Sequence, residues 1–121
     1  MTLTESSHLG GSNLWHPKDV DLNQYDVNVY TLDYIIENGL IDKIDFLKVD
    51  IEGSEIIALD GISDENLSKI RNVAVEYHHE HLKFDENLRN NFVHRFSSLG
   101  FNSHVLFCGT DGALQLIYFW K

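Results

Sequence analysis

The chain has 121 residues, 43% of them hydrophobic and 23% charged, which is enough apolar material for one core and too little for two domains. Nine Lys and Arg stand against nineteen Asp and Glu, and this net charge of −10, with no basic patch to offset it, argues against nucleic-acid or anionic-membrane partners. Cys108 is the one cysteine and can form neither an internal disulfide nor a zinc cluster; residues 1–11 lack a signal-peptide pattern, and no run nears the ~18 apolar residues of a membrane span, so a cytoplasmic protein is expected.

In chain order, residues 1–24 are rich in Ser, Gly, Asn and Asp, carry the lone proline Pro17, and read as an irregular leader. Residues 25–121 then alternate short β-branched runs with amphipathic segments, the texture of βαβ units around a mostly parallel sheet. Val27 to Leu32 reads as a strand. Asp33 is expected to cap a short helix that puts Ile35, Ile36 and Leu40 on one face. Ile44 to Val49 reads as the second strand and runs into Asp50-Ile51-Glu52-Gly53-Ser54-Glu55, after which Ile56, Ile57 and Leu59 suit a helix stopped at Gly61. A brief helix over Asp64 to Ile70 follows, with Ser63 as its cap and two acids in its first turn. Asn72 to Tyr77 reads as a third strand. Phe84, Leu88, Phe92, Phe96 and Leu99 recur at helical spacing behind Asp85 as cap and ahead of Gly100. Phe101 to Phe107 and Ala113 to Trp120, joined by a Gly-containing link, read as a C-terminal antiparallel hairpin.

Ligands of open α/β sheets bind beyond the carboxyl ends of the strands. If Ile44 to Val49 and Asn72 to Tyr77 are parallel neighbours, Asp50 and Glu52 emerge there beside Glu76 and His78. Charged residues within an apolar parallel strand call for partners, and Lys48 with Glu76 is the expected pair across adjacent strands, either as a structural bridge or as part of a site. The run His78-His79-Glu80-His81 lacks the i, i+4 spacing of a helical metal motif, so no metal is assigned. His8, His16, His94 and His104 are scattered and read as ordinary histidines, and Cys108 has no evident activating base. The apolar helical stripe reads as core, and Gly10-Gly11 is too little for a phosphate-cradling loop.

Thr31-Leu32-Asp33, the run Ile44-Asp45-Phe46-Leu47-Lys48-Val49-Asp50-Ile51-Glu52-Gly53-Ser54-Glu55, and Val75-Glu76-Tyr77-His78 together resemble the signature of the FkbM-type methyltransferases. The resemblance implies a Rossmann-like sheet and S-adenosylmethionine-dependent O-methylation of a sugar or small-metabolite hydroxyl. It also implies a site at Asp50, Glu52, Glu76 and His78, with His78 or Asp50 as the base. It runs from about Gly11 to the hairpin and takes in only the C-terminal half of such an enzyme. The family's first strand and glycine-containing cofactor loop have no counterpart before Val27, so the sheet is expected to be truncated. A non-catalytic α/β interaction module, or an inactive fragment, is the alternative. On either reading the edge of Ile44 to Val49 must be covered, by Val27 to Leu32 moving inward or by a second copy of the chain.

Overall fold

The computed structural model describes residues 2–5, 12–13, 24–78, 86–108 and 114–121, with side chains over 26–78, 87–108 and 114–121. Its first three strands, β1 (Thr2–Glu5), β2 (Ser12–Asn13) and β3 (Gln24–Asp26), form a small antiparallel sheet in the order β2-β1-β3. This departs from an irregular leader. The Thr-Leu-Thr alternation of β1 is only a few residues long, too short for its period of two to be distinguished from loop sequence.

Residues 27–30 carry neither helix nor strand, so the strand expected over Val27 to Leu32 is absent. Thr31 instead opens helix α1 (Leu32–Asn38), its side chain accepting a hydrogen bond from the Tyr34 N–H at 3.1 Å. Thr31 is thus the cap assigned to Asp33. Only Ile36 of the expected apolar face is buried, whereas Leu40 is 86% exposed and sits at φ 50° just past the helix.

Strand β4 (Leu47–Val49) is shorter than the apolar run suggests. Ile44 makes a separate parallel bridge to Ile70, and the Asn72 side-chain amide donates to the Asp45 carbonyl at 2.8 Å, interrupting the ladder between the two stretches. Helices α2 (Glu55–Asp60) and α3 (Asp64–Ser68) follow. The Ser63 side chain caps α3 by accepting from the Asn66 N–H, and Asp64 and Glu65 occupy its positive first turn as expected. Strand β5 (Asn72–His78) lies parallel to β4 with Lys48 opposite Ala74. Helix α4 (Glu86–Ser98) ends before Gly100, whose φ of 85° lies in the left-handed region that glycine adopts without a Cβ clash. Strands β6 (Asn102–Cys108) and β7 (Leu114–Trp120) are paired antiparallel, as the hairpin reading requires.

The larger sheet has the order β4-β5-β7-β6. The fold is mixed α/β, but parallel pairing is confined to β4 with β5. The hairpin inserts β7 antiparallel against β5 and so makes the rest of the sheet antiparallel. Alternation along the strands sorts their side chains. Val73, Val75 and Tyr77 of β5 and Ile117 and Phe119 of β7 join residues of all four helices in one buried cluster. The helices therefore pack on one face of the sheet. The other face carries Ala74, Glu76 and His78 of β5 with the half-exposed Tyr118 and Trp120 of β7.

Phe92 and Phe96 confirm the helical stripe as core. Phe96 is fully buried and stacks on Phe119 with ring centroids 4.0 Å apart. Phe84 and its proposed cap Asp85, His79, Glu80, His81 and residues 109–113 lie outside the described residues. No helix among the described residues is long and apolar enough to cross a membrane.

Candidate functional site

The site forms where β4 and β5 end side by side. Beyond Val49 the chain makes a tight turn, with Glu52 at φ 53° and Gly53 at φ 102°, before entering α2. That reversal returns Glu52 toward the end of β5, where Glu76 and His78 project from the face the helices leave uncovered. Asp50, Glu52, Glu76 and His78 are thus brought together as the parallel topology predicts.

His78 is at the centre. Its Nδ1 lies 3.0 Å from Glu55 Oε1, and its Nε2 lies 3.8 Å from Glu52 Oε2 and 3.9 Å from Glu76 Oε1. An ionised carboxylate can only accept, so Glu55 favours a proton on Nδ1, and Nε2 is the nitrogen turned toward Glu52 and Glu76. Burial lowers the His78 pKa, but the hydrogen bond to Glu55 and the charges of Glu55, Glu52 and Glu76 outweigh it and raise the group above its usual 6.5.

Lys48 and Glu76 approach to 3.7 Å, diagonally across the register, but Lys48 makes its shorter contact with Asp50 Oδ2 at 2.8 Å. The Lys48 side chain is 58% exposed, so the pair is not the buried bridge that the apolar strand suggests; β4 is the sheet's edge strand and its lysine reaches solvent. The Asp50 hydrogen bond chiefly raises the Lys48 pKa, partial desolvation opposes it, and the charges of Asp50 and Glu76 add to it.

Asp50, Glu52 and His78 each offer one ligand atom within 4.8 Å of the others, a set able to hold a metal ion. It differs from the contiguous histidine run weighed in the sequence, because the turn at Glu52 and Gly53 folds two separated segments onto one spot. His94 and His104 are exposed and stand outside the site, and Cys108 is a free thiol.

Glu55 is the residue that sequence reasoning passes over. It is wholly buried, and its Oε1 accepts from the Ile51 N–H at 3.2 Å and the Gly53 N–H at 2.9 Å as well as facing His78. In sequence it reads as an ordinary acid in the positive first turn of a helix, and only the tertiary fold turns it inward.

The stretch of chain that holds this site matches the family described as Methyltransferase FkbM domain over residues 2–103. The match starts earlier than the quoted motifs and stops at the beginning of β6. Neither the curated proteins nor the solved structures give a match. With most of the chain covered, from the small N-terminal sheet through the His78 site to α4, the chain belongs to the FkbM methyltransferase-domain family.

Proposed function

We infer that the chain serves S-adenosylmethionine-dependent O-methylation of a sugar or small-metabolite hydroxyl, on a Rossmann-like sheet and in the cytoplasm. The observation that carries this reading is the disposition of His78: Nδ1 is tied to Glu55 at 3.0 Å while Nε2 faces Glu52 and Glu76. Such a disposition suits a base held in one tautomer, with its other nitrogen left toward the acids.

The donor set fits the group. S-adenosylmethionine, when bound, supplies an electrophilic methyl on a cationic sulfur, and Asp50, Glu52 and Glu76 make an acidic surround that favours a cation. Little covalent help is needed from the protein beyond holding the acceptor and taking its proton. His78 Nε2 accepts the hydroxyl proton, and Glu52 and Glu76 stabilise the imidazolium that results. Glu52 and Asp50 also offer acceptors for hydroxyls of a polyol. A net charge of −10 suits such a small neutral acceptor better than nucleic acid or an anionic membrane.

Calorimetric titration of S-adenosylmethionine into the purified chain, followed by a methyl-transfer assay on sugar hydroxyls, tests the reading. Micromolar binding that weakens in Glu52→Gln supports it. Absence of both heat and transfer overturns it in favour of a non-catalytic α/β module.

A further inference from the structure

Glu55 is the one charged side chain that is fully buried among the described residues, at 0% exposure. Removing a carboxylate from water is expensive, and it is tolerated only where hydrogen bonds and charge compensate. Here the compensation is concentrated on one oxygen. Oε1 takes the N–H groups of Ile51 and Gly53 and faces the Nδ1 of His78, while Oε2 is buried with no hydrogen-bond partner among the described residues.

Satisfying two backbone N–H groups requires no charge, since the carbonyl of a glutamine of the same length would serve. A charge matters to the third partner, because a carboxylate stabilises an imidazolium and an amide does not. The same oxygen also joins His78 to the turn in which Glu52 adopts φ 53°, so one atom sets both the ring and the acid that faces its far nitrogen.

The geometry points to Glu55 as the positioning residue of the site: it holds His78 as the Nδ1–H tautomer and fixes the Ile51–Gly53 turn, so that Nε2 is presented to Glu52 and Glu76. It acts through His78 and touches no substrate. The inference rests on the proposed function for its catalytic meaning, but not for its structural content. The charged groups around His78 are Glu55 from α2, Glu52 and Asp50 from the turn, Glu76 from β5 and Lys48 from β4, the last neutralising Asp50 at 2.8 Å.

Long-range nitrogen–proton NMR on the intact chain reads the tautomer of neutral His78 directly, with no need of turnover. In the unmodified chain Nδ1 is expected to carry the proton; an Nε2–H tautomer there overturns the inference without any variant. In Glu55→Leu the acceptor shared by Nδ1 and the turn amides is gone, so the Nδ1–H preference is expected to fall and the Ile51 and Gly53 amides to exchange faster with solvent. A folded Glu55→Leu that keeps both the tautomer and the slow amides overturns the inference. If the variant does not fold, the tautomer of the unmodified chain decides. A chain with the expected tautomer but no methyl transfer would sink the enzymatic reading alone.

Discussion

The His78 imidazole is pulled in two directions by pH. Because its pKa is raised above the unfolded value of 6.5, its contribution to stability is fully present below 6.5 and is lost as pH rises through the folded value. A base must be neutral to accept a proton, so methyl transfer is expected to rise over the same interval in which this contribution fades. A pH–rate profile set beside urea unfolding across the same range checks it: activity that falls as pH climbs past the histidine range would remove His78 as the base. The Lys48 and Glu76 pair calls for the opposite of strong coupling. With Lys48 in solvent, the single changes Lys48→Met and Glu76→Leu and the double change should all leave thermal unfolding little altered, and a large loss in either single variant would mean the charges are far less solvated than the structure has them. Asp50, Glu52, Glu76 and His78 were legible from the sequence because strand ends and face alternation place them without any knowledge of side-chain packing. Glu55 was not, because a left-handed turn at Glu52 and Gly53 decides which way it faces, and nothing in a one-dimensional pattern reports that reversal.

Elements that read clearly in the sequence are those whose period runs long enough to outweigh local preferences. The stripe through Phe92 and Phe96 is the clearest case, and it is also where packing is densest: Phe96 meets Phe119 at 4.0 Å, Phe92 at 4.9 Å and Phe101 at 5.2 Å. Phe96→Ala should therefore cost about 3 to 5 kcal/mol by chemical denaturation. A loss under about 1 kcal/mol would show that this ring is not central to the core. The short helix α1 forms as its apolar spacing suggests, but the strand expected ahead of it does not: Val27, Val29 and Tyr30 favour strand by composition, yet among the described residues no neighbouring strand takes them up, and Thr31 starts the helix in place of Asp33. What anchors α1 is Asp33. Its carboxylate accepts from the Ser63 N–H at 3.0 Å and from the Asn66 amide at 2.9 Å, fastening α1 to the cap of α3. The Asn66 hydrogen bond chiefly lowers the Asp33 pKa below 3.8, burial opposes it, and the Ser63 bonds and the Arg95 charge add to it. Since the folded value is depressed, this stabilisation is present above 3.8 and is lost as pH falls through the folded value. Asp33→Asn should destabilise at neutral pH, with the gap to the unmodified chain closing in acid. A gap that stays constant with pH would assign the loss to shape and not to charge.

At the scale of the whole molecule, the question raised by the sheet is what happens at β4. A central strand of a parallel sheet has neighbours on both sides, yet among the described residues β4 has only β5, and residues 27–30 form no strand beside it. The inward shift of Val27 to Leu32 that would have closed this edge does not occur, because Thr31 commits the following residues to α1. Consecutive backbone N–H groups of a strand point to alternate sides, so those of Leu47, Lys48 and Val49 cannot all be bonded to β5. Those of β5 between Val73 and Val75 lie between two strands, β4 on one side and β7 on the other. Hydrogen exchange in dilute solution should therefore show slow amides along β5 and an alternation of slow and fast amides along β4. Phe46, 61% exposed just before β4, adds apolar surface beside the same edge. Uniformly slow exchange from Phe46 to Val49 would mean that the edge is covered. A doubled mass by light scattering under the same conditions would then identify a second copy as the cover, and an unchanged mass would identify the chain itself. Uniformly fast exchange along both β4 and β5 would contradict the parallel pairing that brings Asp50 and Glu52 to His78, and with it the geometry of the site.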